Sequence, residues 1–256
     1  MALQQHGPAK PSAVQECLRA AARYTGMSET TASQHPAEAK RLRVDIFSDI
    51  ACPWCFIGKR RFESGLESSG LAQDVDVYWH AYQLDPTLPE HYDGSELDYL
   101  AKAKGMDPAQ VEGMLQHVTA QAAEEGLSYD FGKLVVANSF TALRVLEHAK
   151  QQGLGGEMKE ALLSAHFEKG LDTGNVDTLL QLAAEVGLDA AALRTALEAG
   201  NYADEVNADI AQARQIGVTG VPFFILDGKY GISGAQPAEV FANALTQVRA
   251  ETVGAN

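Results

Sequence analysis

Hydrophobic and polar positions along the chain fall into three successive regimes. The first opens at Arg43, where Val44, Ile46 and Phe47 make a short β-prone run in RVDIFSDI. Phe56, Ile57, Arg60 and Phe62 then continue as a helix to about Leu66, with Gly70 near its stop. Val75, Val77 and Trp79 alternate with Asp76, Tyr78 and His80, the period of a second strand. Strand, helix and strand in this order predict a parallel pair joined by a crossover. The second regime, from about Ser95 to Ile216, has the spacing of helices almost throughout. Its segments mostly end in Gly, and Asp107 before Pro108 and Asn138-Ser139 are start signals. No fixed repeat recurs, which predicts an irregular helical unit. The third regime reverts to strand. Phe223 to Leu226 is a short apolar run, Asp227-Gly228 a tight-turn signal, and Lys229 to Ser233 the returning strand. Pro237-Ala238-Glu239 opens a last helix with Val240, Phe241, Leu245 and Val248 assigned to one face.

A sheet interrupted by a long helical stretch is expected to fold as one domain, because neither flank can bury its strands alone. The expected division is an N-terminal extension over 1–42, an α/β domain from 43–94 and 217–250, and an inserted helical subdomain over 95–216. Residues 1–42 hold linker-like Pro8, Pro11, Gly26 and Pro36, with a short helix expected over Val14 to Tyr24.

Composition narrows the function. The 256 residues carry a net charge of -14, which argues against nucleic acid and against anionic membrane surfaces as partners. No stretch approaches the roughly 18 to 20 apolar residues of a membrane span. The N-terminus lacks an apolar segment of about 7 to 15 residues, so it does not read as a secretory signal, and the expected location is the cytoplasm. Three cysteines, Cys17, Cys52 and Cys55, are too few for a disulfide framework.

Cys52-Pro53-Trp54-Cys55 lies just after the first strand, at the mouth of the first helix. Pro53 suits the first helical turn, where its missing N–H costs nothing. The unpaired helix amides and the positive end of the helix dipole favour thiolate at Cys52, and the thiolate is the nucleophile. Its pKa is therefore expected below the free-thiol value of about 8.5, with Cys55 unshifted, and only mildly so because Trp54 supplies no charge. Cys55, one turn on, can resolve a mixed disulfide. Metal binding is the rival reading, but it usually needs four ligands, and His35 and His80 lack ligand spacing; no metal is expected. Two cysteines three apart close almost no loop, so a structural disulfide is a poor reading. Lys59, Arg60 and Arg61 read as a solvated helix face, and His80, His117, His148 and His166 as packing or surface residues. Asn138 and Ser139 read as a helix cap. The second motif is Gly220-Val221-Pro222, where a proline just before an apolar strand is unusual for a central strand.

The segments SDIACPWCFIGKRRFE, YQLDPTLP and GVTGVPFFILDGKYGISGAQP together resemble the DsbA-like proteins of the FrnE type, over about residues 43 to 250. The resemblance implies a thioredoxin-like α/β fold with a long helical insertion and a dithiol–disulfide activity. It implies Cys52 as nucleophile, Cys55 as resolving thiol, and a cis Val221–Pro222 bond beside Cys52. On this reading Pro53, Trp54, Gly220, Val221 and Pro222 contact substrate, Val221 through its backbone, as an added strand would. Trp54 stands where periplasmic relatives carry His, so their oxidising power does not carry over. The partners expected are thiol- or disulfide-containing proteins or small molecules, without a cofactor unless glutathione serves as co-substrate. The same branch holds glutathione-dependent isomerases and transferases of the 2-hydroxychromene-2-carboxylate isomerase and kappa-class type, which present Ser at the position of Cys52; the intact pair is the discriminating feature. A non-catalytic binding module or holdase using the cleft near Trp54 is the third reading.

Overall fold

The computed structural model describes residues 41–254, so the segment holding Cys17, His35 and the helix expected over 14–24 lies outside the described residues. Among the described residues four strands and nine helices follow in chain order: β1 (Leu42–Ser48), α1 (Pro53–Ser68), β2 (Val75–Ala81), α2 (Glu96–Lys104), α3 (Pro108–Glu124), α4 (Phe140–Gln151), α5 (Gly155–Phe167), α6 (Val176–Glu185), α7 (Ala190–Glu198), α8 (Ala203–Ile216), β3 (Phe223–Leu226), β4 (Tyr230–Ser233) and α9 (Ala238–Gly254). The sheet order is β2-β1-β3-β4. β1 and β2 are parallel, with Ile46 opposite Trp79, while β3 is antiparallel to both β1 and β4. This is the thioredoxin-like arrangement the sequence predicts, a mixed α/β sheet with helices threaded between its two halves.

The alternation along β1 decides what covers each face of the sheet. Leu42, Val44 and Ile46 belong to a core that takes in Phe62 of α1, Phe224 of β3 and Phe241 of α9. The three phenyl rings meet at centroid distances of 4.6–5.7 Å, in stacked and edge-on pairs. Phe47 points the other way, with Phe223 and Ile225, against Ala213 and Ile216 of α8. A further apolar cluster joins Phe56 and Ile57 of α1 to Val118 of α3, Leu163 and Phe167 of α5, and the loop residues Leu127, Tyr129, Leu134 and Val136. This last cluster fastens the helices to the element that carries the cysteines.

Polar signals hold where they are local. Asp107 accepts from the Ala109 amide at 2.9 Å and starts α3. Asn138 accepts from the Phe140 amide at 2.9 Å, so it caps α4 in place of Ser139, whose hydroxyl makes no capping bond. Asp227 and Gly228 both adopt positive φ in the turn between β3 and β4. The exceptions are positional. Val77, on the edge strand β2, is exposed although it shares the face of the buried Val75 and Trp79. Val240 is likewise exposed, since Phe241, Leu245 and Val248 complete a stripe of i, i+4 and i+7 that excludes it. The helical stretch is broken by residues 127–138, which turn back under α1. Among the described residues no helix is long and apolar enough to cross a membrane.

Candidate active site

Cys52 is the N-cap of α1, in extended conformation, with Pro53 in the first turn. The Cys55 amide donates to the Cys52 carbonyl at 3.0 Å, so the helix winds directly from the first cysteine to the second. Both are buried free thiols. Across from them the Val221–Pro222 bond is cis. The Cys52 thiol donates to the Val221 carbonyl at 3.4 Å. Gly58, one turn past Cys55, allows Pro222 to come close: a Cβ at this position would lie 2.7 Å from Pro222 Cγ. The structure thus gathers Cys52, Pro53, Trp54, Cys55, Gly220, Val221 and Pro222 from two distant segments into one place.

A cavity of about 530 Å³ opens beside Cys52. Asp49, Pro53, Trp54, Gly220 and Val221 line it from the sheet side, and α2 and α3 wall it with residues such as Leu100 and Val118. Cys55 is not part of the lining, so Cys52 is the sulfur that a molecule in the cavity meets. Trp54 packs near His117 of α3, ring centroids 6.1 Å apart. Tyr129 donates its hydroxyl to the Pro53 carbonyl at 2.6 Å and steadies the turn from outside.

Lys59, Arg60 and Arg61 are not a solvated face. Lys59 is buried and pairs with Glu63 and Glu160 at 2.6 Å each. Arg60 also binds Glu160. Arg61 binds Glu125 at 2.5 Å and donates to the Ala235 carbonyl at 2.8 Å. The charges tie α1 to α3, to α5 and to the segment after β4; a helix wheel of α1 alone could not show partners about 60 to 170 residues away.

Beneath the sulfurs lie two charged groups that local pattern did not single out. Asp49 is fully buried and accepts from the Leu84 amide at 2.7 Å and the Ala51 amide at 3.3 Å. Burial pushes its carboxyl above the usual carboxylate range. Lys159 of α5 is also fully buried, its Nζ without a hydrogen-bond partner among the described residues and 5.7 Å from the centre of the Trp79 ring. Burial lowers its pKa to about 8, against the pull of Cys55 and Asp49. The only advance sign of this pair was an aspartate ending an apolar strand; Lys159 falls in an ordinary helical stretch.

The cysteines titrate as one pair, and the order is the reverse of the sequence expectation. Cys52 is pushed up by its hydrogen bond to Cys55 and by burial. Burial acts upward on Cys55 too, but the bond from Cys52 and the charge of Lys159 hold it below the usual thiol range. The physical reason is geometric. The Cys52 sulfur also donates to the Val221 carbonyl, an arrangement that favours the neutral thiol.

Residues 43–246 match the sequence model of the DSBA-like thioredoxin domain. The chain belongs to the DSBA-like thioredoxin domain family. This DSBA-like protein is 40% identical to a probable DsbA oxidoreductase of Streptomyces coelicolor, with a TM-score of 0.77 over 82% of this chain and 91% of that one. It is 29% identical to the uncharacterized protein YwbO of Bacillus subtilis, over 80% of this chain and 96% of that protein. A cytosolic disulfide reductase, DsbM of Pseudomonas aeruginosa, solved with GSH, shares the fold at 20% identity, with a TM-score of 0.59 over 81% of this chain and 99% of that one. In the DSBA-like frame, the helices α2 to α8 sit between the strand pair that carries Cys52 and the strand pair that follows Pro222.

Proposed function

We propose that this DSBA-like protein is a thiol–disulfide oxidoreductase in which Cys52 exchanges with substrate and Cys55 resolves. The observation that carries this reading is that two free thiols one helical turn apart lie beside the cis Val221–Pro222 bond, and only Cys52 faces the cavity. Cys52 reaches its thiolate by giving up its proton to Cys55, the sulfur of the pair held low. The Cys52 thiolate attacks one sulfur of a substrate disulfide, forming a mixed disulfide and expelling the other sulfur as thiolate. Cys55, its proton taken up by the Asp49–Lys159 pair, attacks the Cys52 sulfur. The substrate leaves as two thiols and the enzyme keeps the Cys52–Cys55 disulfide, two electrons having moved from enzyme to substrate. A substrate dithiol drives the same steps in reverse.

Pro53, Trp54, Gly220 and Val221 line the substrate's approach, Pro222 backs it, and an extended substrate would pair with the Val221 backbone. Such a substrate takes the carbonyl that now holds the Cys52 proton, which favours the thiolate when substrate is present. No cofactor enters the scheme; a thiol such as glutathione can regenerate the dithiol. Cytosolic DsbM, with its bound GSH, is consistent with a reducing compartment and with this role for glutathione. The two quoted motifs around Cys52 and Pro222 support the FrnE type within the family.

The test is insulin reduction with dithiothreitol as electron source. Cys52→Ser should abolish catalysis, and Cys55→Ser should accumulate mixed disulfides. Undiminished turnover in Cys52→Ser would overturn the dithiol mechanism and leave a binding module.

A further inference from the structure

The cavity beside Cys52 also holds a carboxylate that no described residue pairs with. Glu96 opens α2 and lines the same cavity as Cys52. An acidic residue in a first helical turn ordinarily serves the exposed amides and dipole there. In α2 that work is done by Ser95 and Asp98, which form a complete reciprocal capping box. Glu96 makes no hydrogen bond and no ion pair among the described residues, and its half-buried carboxyl faces a cavity whose apolar wall includes Leu88, Leu100 and Val118. Burial alone raises its pKa to about 7, as expected of a carboxylate lacking a partner.

The neighbouring groups do not supply that partner. The Tyr99 hydroxyl is engaged with Asp85 at 2.8 Å. His166 is fully enclosed and, by burial, held neutral with a pKa of about 4. Lys104 lines the rim but stands exposed. The carboxyl groups of Asp49, Asp85 and Glu96 all border the cavity. An anion entering here would meet like charge in a partly dry site, and a cation would meet an unpaired carboxylate. The volume of about 530 Å³ is that of a small-molecule site.

Resting on the dithiol reading, we propose that the cavity selects low-molecular-weight disulfides and thiols of net positive charge, an ammonium group seated on Glu96 while their sulfur reaches Cys52. The chemistry is the exchange already described; the new element is the charge the substrate must bear. Glutathione disulfide, with its carboxylates, should be a poorer substrate than its reactivity in solution suggests.

The test uses the reduced full-length protein and three disulfides: cystamine, which is dicationic, neutral 2-hydroxyethyl disulfide, and anionic dithiodiglycolate. The rate of enzyme oxidation is followed by tryptophan fluorescence and divided by the rate of each disulfide with a free small thiol. Wild type should favour cystamine over the neutral disulfide. In Glu96→Gln that ratio should fall about tenfold, as for a lost charge-assisted bond, and in Glu96→Lys the preference should move to dithiodiglycolate. Unchanged ratios in both variants, or a wild-type preference for the anion, would overturn the charge selection while leaving the dithiol reading standing. If no disulfide oxidised the protein faster than it oxidised the free thiol, the dithiol reading would fail, and this inference with it.

Discussion

Lys159 is a side chain whose cost and use can be separated. An ammonium group with no hydrogen bond in a dry interior is unfavourable in itself. What offsets it is charge at Asp49 and at the cysteine pair, and the pair is where its effect can be measured. Lys159→Met keeps the volume and removes the cation. The pH midpoint for thiolate formation by the reduced pair should then rise, because Cys55 loses a charge that now holds it low. Thiolate absorbance against pH reads this directly; an unshifted midpoint would mean that the Cys55 thiolate is held without the cation. The same residues explain why Cys52 is not the low-pKa sulfur in the resting dithiol: it faces a carbonyl, and Cys55 faces a cation.

Between elements, His80 is the point to test. Its two ring nitrogens lie 2.8 Å from Asp45 of β1 and 2.8 Å from Asp209 of α8, so one imidazole joins β2 to a neighbouring strand and to the helix across the sheet. Arg43 reinforces Asp45, Lys150 stands 3.6 Å from Asp209, and Glu147 lies close by. Burial opposes the charge on His80, but the two carboxylates prevail and raise its pKa above 6.5. Its contribution to stability is therefore complete below 6.5 and is lost as pH rises through the raised value. Asp45 and Asp209 are both lowered from 3.8, against their burial, so their contribution is complete above 3.8 and is lost as pH falls through the lowered values. Urea melts should show His80→Gln costing about 2 kcal/mol. That difference should be largest between 3.8 and 6.5 and shrink on either side. A difference independent of pH would reduce His80 to a packing residue.

Packing of α1 on α9 makes a second prediction between elements. A Cβ on Gly65 would sit 2.5 Å from the Ala238 carbonyl oxygen and 2.7 Å from Phe241 Cβ, and backbone cannot yield as a side-chain tip can. Gly65→Ala should destabilise by about 1–2 kcal/mol despite alanine's better helix propensity. Gly113 in α3 has nothing within 4 Å, so Gly113→Ala should stabilise by about 0.5–1 kcal/mol. Equal responses at the two sites would remove the packing explanation.

Over the whole molecule, one apolar core runs from Val44 and Phe224 in the sheet through Trp79 to Leu146, Leu179 and Ile210 in the helices. Trp54 packs instead on the cluster that joins α1 to α3 and α5. Because these clusters share elements, sheet and helices should unfold together. Tryptophan fluorescence and far-UV circular dichroism should give coincident urea transitions. Two separated transitions would make the helical stretch a cooperative unit of its own.

Sequence alone was enough for features set by neighbours within a few residues. The strands, the helices with their Asp107 start and glycine stops, the Asp227-Gly228 turn and the placement of Cys52-Pro53-Trp54-Cys55 at a helix mouth all follow from local period and capping. So does the suspicion attached to Val221-Pro222, since a proline before an apolar strand conflicts with the ladder. What local pattern could not supply depends on which distant segments become neighbours. Lys59, Arg60 and Arg61 looked solvated until α3 and α5 brought Glu125 and Glu160 to them. Val77 shares the period of Val75 and Trp79 along β2, and only the fold leaves it exposed. Tyr129, Lys159 and Glu96 gained their roles from the cavity and the cluster that the helices build around α1. The order of the two thiol pKa values was decided the same way. A helix mouth argues for Cys52, but electrostatic effects in a buried site depend on every group that folding brings near, and folding placed a carbonyl at Cys52 and an ammonium near Cys55.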